Sequence, residues 1–124
     1  MHYINICAPH LSQELGIEAL KLKKKYTDNM MKEYRRRRDF IVKRLNEIGL
    51  RTRVPDATFY SFSNIQDFSK DSFKFSNMLL KKAKVAVVPG REFGKYGEGF
   101  IRCSYATDYK LIGKAMDRIE RVLK

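Results

Sequence analysis

Apolar residues recur at helical spacing through a strongly polar part of the chain. Between Thr27 and Ile48 they lie four, seven, four and three residues apart, at Met30, Tyr34, Ile41, Leu45 and Ile48. This spacing places them on one side of an α-helix, and a one-sided apolar stripe predicts that the helix packs against a core. Gly49 stands where a left-handed residue commonly ends a helix, and Leu50 can make the hydrophobic contact that accompanies such an end. We therefore predict that the helix stops at Gly49.

Three shorter segments show the same period. Ser12 is the predicted N-cap of a helix that contains Leu15, Ala19 and Leu22. Ser72 is the predicted N-cap of a second helix, whose inward face consists of Phe75, Leu79 and Ala83. Thr107 or Asp108 is predicted to cap a final helix. The broad apolar face of this last helix consists of Leu111, Ile112, Ala115, Met116, Ile119, Val122 and Leu123.

Strand-like segments alternate with these helices. Arg51 to Val54 predicts a short strand, and Thr58 to Ile65 predicts a stronger one because aromatic and β-favouring residues crowd it. Val85 to Val88 predicts a buried strand closed by a Pro-Gly pair, and Phe100 to Ala106 predicts a strand with two distinct faces. Met1 to Pro9 is predicted to be extended. Helices packed on one face of a small, mostly antiparallel sheet give an α+β two-layer sandwich, which is the fold class that we predict.

Arg102 is the charged member of its row in the last predicted strand. It shares one face of that strand with Phe100, Ser104 and Ala106. Four of the seven glycines, at positions 90, 94, 97 and 99, precede the strand, and such a cluster marks unusual backbone angles or a close backbone approach. The rigid donor fork of an arginine suits a planar carboxylate. Spacing alone leaves two interpretations open, a ligand for a substrate carboxylate and a solvated or structurally paired arginine.

The composition indicates a folded domain with one strongly basic segment. The 124 residues are 44% hydrophobic, and no apolar run approaches the length of a membrane span. Two cysteines without metal-ligand spacing favour a reducing, cytoplasmic location. Much of the net charge of +12 lies between Lys21 and Arg38, where nine basic residues against two acidic ones leave +7. A nucleic-acid-binding module is one interpretation of this segment, and a solvated helix face is the other.

Other residues with possible chemistry lack the context that a site needs. His2 and His10 have no partnering cysteine or carboxylate cluster, so no metal site is predicted. Ser69 and Lys70 form a Ser-Lys pair without the flanking motif of a catalytic lysine. The aromatic row is predicted to be core rather than a stacking platform for bases, and it consists of Phe59, Tyr60, Phe62, Phe73 and Phe75.

Several segments together resemble a known family. VAVVPGREFGKYGEGFIRCSYA, from Val85 to Ala106, contains a strand, a Pro-Gly turn, a Phe-Gly pair, a glycine-bracketed loop and an arginine before Ser-x-Ala. It is preceded, in the order and spacing of the family, by ICAPHLSQELGIEALK, YRRRRDFIVKRLNEIGL and PDATFY. This set resembles the C-terminal small domain of class I and II pyridoxal-phosphate (PLP) aminotransferases of the aspartate aminotransferase family. One departure is Ala57, where that family usually has a glycine, and it bears on the local turn.

The resemblance implies a function and a division of the chain. Arg102 is expected to bind the α-carboxylate of an amino acid in an enzyme that transfers its amino group to a 2-oxo acid. PLP and its Schiff-base lysine are expected in a large domain that precedes this segment, so the chain alone is expected to be inactive and to hold no cofactor-binding residue. Residues 1–26 are then a segment leading from the large domain, and residues 27–124 are the small domain. The full enzyme is expected to be a homodimer, with Asn5 to Pro9 near the subunit interface.

Overall fold

The computed structural model describes residues 7–124, and these residues form four α-helices and three strands. The helices are α1 (His10–Lys21), α2 (Lys25–Ile48), α3 (Ser72–Met78) and α4 (Tyr109–Leu123). The strands are β1 (Tyr60–Asn64), β2 (Val88–Pro89) and β3 (Phe100–Ser104). A π-helical turn follows α3 at Leu79–Ala83, and two 3-10 turns lie at Gly90–Phe93 and Lys95–Gly97. The chain divides into two compact units, Met1–Lys32 and Glu33–Lys124.

Helix α1 begins earlier than the sequence predicts. It starts at His10 with Pro9 at the N-cap position, so Ser12 lies inside the helix and its prediction as the N-cap is wrong. The reason is local, because the Gln13 side chain donates to the carbonyl oxygen of Ala8 at 2.8 Å and the Gln13 N–H donates to that of Pro9 at 3.2 Å. None of the α1 residues is buried. Most of the predicted extended segment, Met1 to Pro9, lies outside the described residues.

Helix α2 ends as the sequence predicts. Gly49 has φ +101°, and its N–H donates to the carbonyl oxygen of Asn46 at 3.0 Å. The N–H of Leu50 donates to the carbonyl oxygen of Leu45 at 2.9 Å, which completes the paired hydrogen bonds of a Schellman end. Ile41, Leu45 and Ile48 are buried, whereas Met30 at the other end of the predicted stripe is 53% exposed. The inward face of α2 is therefore confirmed over its second half.

The sheet is antiparallel, with β3 in the centre between β1 and β2. The predicted strand Arg51 to Val54 is wrong, because it is reduced to a single bridge between Thr52 and Ser63. The side chain of Asn46 accounts for this difference. Its Oδ1 accepts from the Thr52 N–H and its Nδ2 donates to the Thr52 carbonyl oxygen, both at 2.9 Å. The backbone of Thr52 is thus bound to α2 instead of continuing a ladder.

The segment before β2 also differs from its prediction. The sequence predicts a buried strand at Val85 to Val88, but Ala86 is exposed and the valines are half-buried. Only Val88 pairs with β3 ahead of Pro89. Val85 is still held by the preceding turn, since its N–H donates to the carbonyl oxygen of Leu79 at 3.4 Å. Proline has no N–H to extend a ladder, so the paired segment stops at once.

Helix α3 has its cap one residue before the predicted position. Asp71 is the N-cap, and its Oδ1 accepts from the Lys74 N–H at 2.9 Å. This bond is the main reason that the pKa of Asp71 is lowered. Ser72, the predicted cap, is buried and is the first helical residue. The predicted inward face is confirmed, because Phe75, Leu79 and Ala83 are all buried.

The core lies on one face of the sheet, between the strands and the helices, and the fold is the predicted α+β two-layer sandwich. Ile101, Cys103 and Tyr105 point from β3 and its extension into this core, against Ile41 and Leu45 of α2 and a row on α4. The buried residues of α4 are Ile112, Met116 and Ile119. Asp108 caps α4 as predicted, since its Oδ1 accepts from the N–H groups of Lys110 and Leu111.

Arg44 joins the outer sides of α2 and α4. Its guanidinium donates to Asp117 at 2.9 Å and to Glu120 at 2.8 Å on α4, and to Glu47 at 3.1 Å on its own helix. Hydrogen bonds to Glu120 and Glu47 raise the pKa of Arg44. Three of the five N–H donors of this arginine are therefore used by protein carboxylates.

The backbone makes a close approach within the glycine cluster, as the sequence predicts. A Cβ atom built on Gly90 would lie 2.0 Å from the carbonyl oxygen of Gly97 and 2.6 Å from that of Phe100. Only a glycine fits there, because the atoms that a methyl group would meet are backbone oxygens of Gly97 and of Phe100, the first residue of β3. Gly94 and Gly99 additionally adopt left-handed φ values of +102° and +83°.

We expect Gly90→Ala to lower the free energy of unfolding by about 1–3 kcal/mol, because the added methyl group overpacks against rigid backbone. Gly113→Ala is the matched control. A Cβ there meets only the Phe40 ring at 3.8 Å, so alanine should raise the free energy of unfolding by about 0.5–1 kcal/mol through helix propensity. Denaturant unfolding of both variants measures the difference, and equal effects of the two changes would contradict the close approach.

The buried thiol of Cys103 should be chemically silent in the folded chain. Burial raises the pKa of Cys103 to about 12, while Cys7 is exposed. At about pH 8 we expect a thiol reagent to label Cys7 alone, and both cysteines after unfolding. Cys7→Ser should then abolish labelling of the folded chain.

The raised pKa of Cys103 also predicts a pH dependence of stability. As pH rises from 9.0 towards 12, the free energy of unfolding should fall, because the Cys103 thiol loses its proton in the unfolded chain before it does so in the folded one.

Candidate carboxylate-binding site

Arg102 lies in the middle of the central strand, on the face of the sheet opposite to the core that it forms with α2 and α4. It pairs with Phe62 of β1 on one side and with Val88 of β2 on the other. Its neighbours along the strand, Ile101 and Cys103, are buried on the helix side, while Arg102 is half-buried. Alternation along β3 therefore places the guanidinium on the open face, where a molecule outside this chain can reach it.

Two aromatic rings approach the guanidinium of Arg102. Its Cζ atom lies 5.0 Å from the centroid of the Tyr60 ring and 4.6 Å from that of the Phe93 ring. Tyr60 belongs to β1, and Phe93 ends the 3-10 turn that follows β2. The two rings thus come from elements that lie on either side of β3. Both distances fall within the range of a cation–π interaction.

Arg102 has no carboxylate partner among residues 7–124. No Asp or Glu oxygen lies within 4.0 Å of its guanidinium, and its N–H groups donate no hydrogen bond to the described part of the chain. Arg44, by contrast, donates to three carboxylates. The charge of Arg102 is therefore partly screened by rings, while its in-plane donors stay available.

A strained turn positions Tyr60. Thr58 has φ +79°, which is costly for a β-branched residue. Its hydroxyl donates to the Tyr60 carbonyl oxygen at 2.9 Å, and its own carbonyl oxygen accepts from the Tyr105 hydroxyl at 3.1 Å. Ala57, where the resembled family usually has glycine, has no positive φ, so the left-handed position of the turn is Thr58.

Glu98 ties the loop that carries Phe93 to α3. Its Oε1 accepts from the Ser72 N–H at 2.6 Å and from the Gly99 N–H at 3.2 Å. The bond from Ser72 is the main cause that lowers the pKa of Glu98. Since the folded pKa is lowered, this contribution to stability is present near neutral pH and is lost as pH falls through the folded pKa. A charged hydrogen bond thus anchors the end of the Phe93 loop to the start of α3.

Sequence reasoning identified Arg102 but missed its aromatic neighbours. The aromatic row was predicted to be core, and this is confirmed only for Phe75. Phe59 and Phe73 are about half exposed, and Tyr60 and Phe62 lie half-buried on the open face of the sheet. Alternation in β1 was the available signal, because Ser61 and Ser63 occupy the buried positions between the aromatic residues.

The other candidates have structural roles or lack partners. Glu33 accepts from Arg36 and Arg37, and Arg38 pairs with Asp39, so part of the basic segment is neutralised locally. Ser69 exchanges hydrogen bonds with the backbone of Asp71 ahead of α3. Among residues 7–124, no group of three or more His, Cys, Asp or Glu side chains is arranged to hold a metal ion. No helix in that range combines the length and apolar character that crossing a bilayer requires.

Comparison with known proteins identifies one family. Residues 3–119 match the family described as Aminotransferase class I and II. The chain is 44% identical over 124 residues to "Aromatic-amino-acid aminotransferase 2" of Thermococcus litoralis, covering 98% of this chain and 32% of that protein. It is 53% identical over 100 residues to "Aspartate aminotransferase" of Pyrococcus abyssi, covering 81% of this chain and 26% of that protein. The chain thus spans between about a quarter and a third of the length of the curated relatives that it matches.

The fold agrees with a solved structure from the same group of proteins. The aromatic aminotransferase from Pyrococcus horikoshii superposes with a TM-score of 0.82 at 53% sequence identity. The match covers 86% of this chain and 29% of that one. Sequence and structure therefore point to the same part of the same kind of protein.

We expect Tyr105→Phe to lower the free energy of unfolding by about 1 kcal/mol, because the carbonyl oxygen of Thr58 loses the hydrogen bond from the Tyr105 hydroxyl. Tyr96→Phe removes a hydroxyl from a side chain that is 86% exposed and serves as the control, with no change expected. Denaturant unfolding measures both. An unchanged stability of Tyr105→Phe would mean that this hydrogen bond does not hold the turn.

Proposed function

The chain belongs to the class I and II aminotransferase family, and from this we propose that it is the small domain of a PLP-dependent aminotransferase in which Arg102 binds the substrate α-carboxylate. The observation that carries the proposal is the state of Arg102, whose guanidinium lies on the open sheet face without a carboxylate partner in the described chain. A half-buried charge of this kind is costly unless it is paired. A bound carboxylate completes the pairing.

The geometry of an arginine suits this task. Its planar fork offers two parallel N–H donors to a carboxylate, which fixes the orientation of the ligand as well as its position. Bound in this way, the α-carbon of an amino acid is presented at a constant distance and angle from the sheet. Such positioning lowers the barrier of a reaction at that carbon by reducing the freedom of the reactants.

The cofactor does not fit the residues of this site. The side chains that contact the Arg102 guanidinium in the described chain are two aromatic rings, which provide no amine for a Schiff base. We therefore assign PLP to a large domain outside this chain. When bound there, PLP supplies the aldehyde that carries the amino group between an amino acid and a 2-oxo acid. The contribution of this chain is to hold and orient the substrate carboxylate.

Two apolar surfaces are consistent with a larger assembly. On the first unit, α1 exposes Leu11, Leu15 and Leu20, the last of these by 90%. On the second, Phe93 beside Arg102 and Phe59 next to β1 are each exposed by about half. Apolar surface of this kind usually marks contact with another protein part. Our proposal therefore includes a large domain that covers these surfaces, residues 1–26 as the connection to it, and a cytoplasmic homodimer as the complete enzyme.

A chimera tests the role of Arg102. This chain would replace the matching segment of the Thermococcus litoralis enzyme, and amino acid turnover would be measured with and without Arg102→Ala. We expect kcat/KM to fall roughly 30- to 1000-fold, because about 2–4 kcal/mol of charge-assisted hydrogen bonding is lost. The Arg102→Lys chimera should have a kcat/KM between those of the unmodified and the Arg102→Ala chimeras, since lysine keeps the charge and loses the planar fork of donors.

Arg121→Ala on the exposed side of α4 is the matched control and should leave turnover unchanged. The PLP absorbance of the chimera should be the same in all variants, because the cofactor is assigned to the other domain. An Arg102→Ala chimera that keeps the parent affinity for the amino acid would remove Arg102 from the site. Stoichiometric PLP binding by the 124-residue chain alone would contradict the placement of the cofactor.

A further inference from the structure

The neighbours of Arg102 attract its charge without occupying its donors. Aromatic faces bind a guanidinium through the ring quadrupole, whereas carboxylates bind it through its N–H groups. Arg44 shows the second arrangement in the same chain, with all of its contacts made to carboxylate oxygens. Arg102 shows the first, with rings 5.0 Å and 4.6 Å from its Cζ atom. The N–H donors of Arg44 are therefore largely used within the chain, whereas those of Arg102 can still bind a carboxylate.

Both rings are themselves held in place. Tyr60 packs edge-on against Phe59 at 5.4 Å between centroids, and its backbone is held by the Thr58 hydroxyl. Phe93 packs edge-on against Phe62 at 5.5 Å. Phe62 in turn contacts the ring of Phe100 at 6.0 Å. The rings are thus fixed by the sheet rather than by the arginine that they contact.

We infer that Tyr60 and Phe93 form an aromatic clamp, a pair of positioning residues that holds the Arg102 guanidinium ready for a carboxylate. The inference rests on the proposed function for its ligand. The clamp stabilises the arginine before the ligand arrives, and among residues 7–124 it does so without a resident counter-ion that a substrate would have to displace. Because a long side chain loses rotamer freedom on binding, a guanidinium that is already ordered binds a carboxylate more tightly.

The order of the Arg102 side chain in the full 124-residue chain tests the clamp directly. NMR relaxation of the Arg102 Nε–H group and the ring-current shifts of its Cδ protons report its mobility and its distance from the rings. We expect Arg102 to be more ordered than Arg121, which is exposed on α4. If Arg102 is as mobile as Arg121 in the unmodified chain, the clamp is refuted without any variant.

Substitutions then separate the two rings from general packing. Tyr60→Leu and Phe93→Leu should each reduce the ring-current shifts and increase the mobility of Arg102. Tyr60→Phe and Phe93→Tyr keep a ring and should restore values close to those of the unmodified chain. Phe73→Leu is the matched control, because it removes the ring that lies 4.3 Å from Arg91 and leaves the Arg102 site untouched. Backbone amide spectra of the core establish that each variant is folded.

Titration with maleate, a dicarboxylate with no amino group to transfer, measures the consequence for binding. The Arg102 Nε–H signal is the readout, and chloride at the same ionic strength is the reference. Each leucine variant should raise the dissociation constant about threefold, the size expected when one partly exposed cation–π contact is lost. Leucine variants that leave both the mobility of Arg102 and the maleate affinity unchanged would overturn the clamp.

The two proposals fail in different ways. For Arg102→Gln, which has no Nε–H group, maleate binding is followed through the backbone amide shifts of β3. A variant that binds maleate as tightly as the unmodified chain, or an unmodified chain in which Arg102 does not respond to maleate, counts against Arg102 as a carboxylate ligand. In either case the mobility data still decide whether the rings order the arginine. If Arg102→Gln weakens binding and the leucine variants do not, the ligand role stands and the clamp falls.

Discussion

The strict alternation of side chains along β3, held between two antiparallel partners, is the constraint on which the rest of the fold depends. Ile101, Cys103 and Tyr105 enter the core in succession, and the intervening positions face outwards. A shift of one residue in this pairing would bury Arg102 and expose Ile101. The core and the candidate site are therefore specified by the same register, and neither can change without the other. Tyr105 extends this link, because its ring fills the core and its hydroxyl fixes the turn that leads into Tyr60.

Periodic features of the fold were predictable from the sequence, and features that depend on distant partners were not. The end of α2 at Gly49 and the inward face of α3 follow from local spacing, and both are confirmed. The strand predicted at Arg51 to Val54 fails because Asn46 binds the backbone of Thr52 across a turn, which no local pattern reveals. Ser72 fails as a cap because Asp71, a better acceptor for the Lys74 N–H, lies directly before it and Glu98 takes the Ser72 N–H.

The candidate site was predictable only as far as it depends on local sequence. Residue type and strand position single out Arg102, and the family resemblance gives its role, which stays a prediction. Tyr60 and Phe93 were not found, because they come from segments 33 residues apart in the sequence that meet only when both pair with β3. The contrast with Arg44 was equally hidden, since its partners on α4 lie more than 70 residues away. Two arginines of the same chain thus acquire different environments through tertiary structure.

The short edge strand has a consequence for how this chain meets others. At one edge of the sheet, β2 offers only two residues, and one of them is a proline without an N–H. At the other edge, the side of β1 that faces away from β3 is partly covered by the bridge from Thr52. Both borders of the sheet are therefore poor templates for adding a strand from a second molecule, the route by which exposed sheets grow into fibrils. The sheet edges therefore favour contacts through side chains over strand addition wherever this chain meets another molecule.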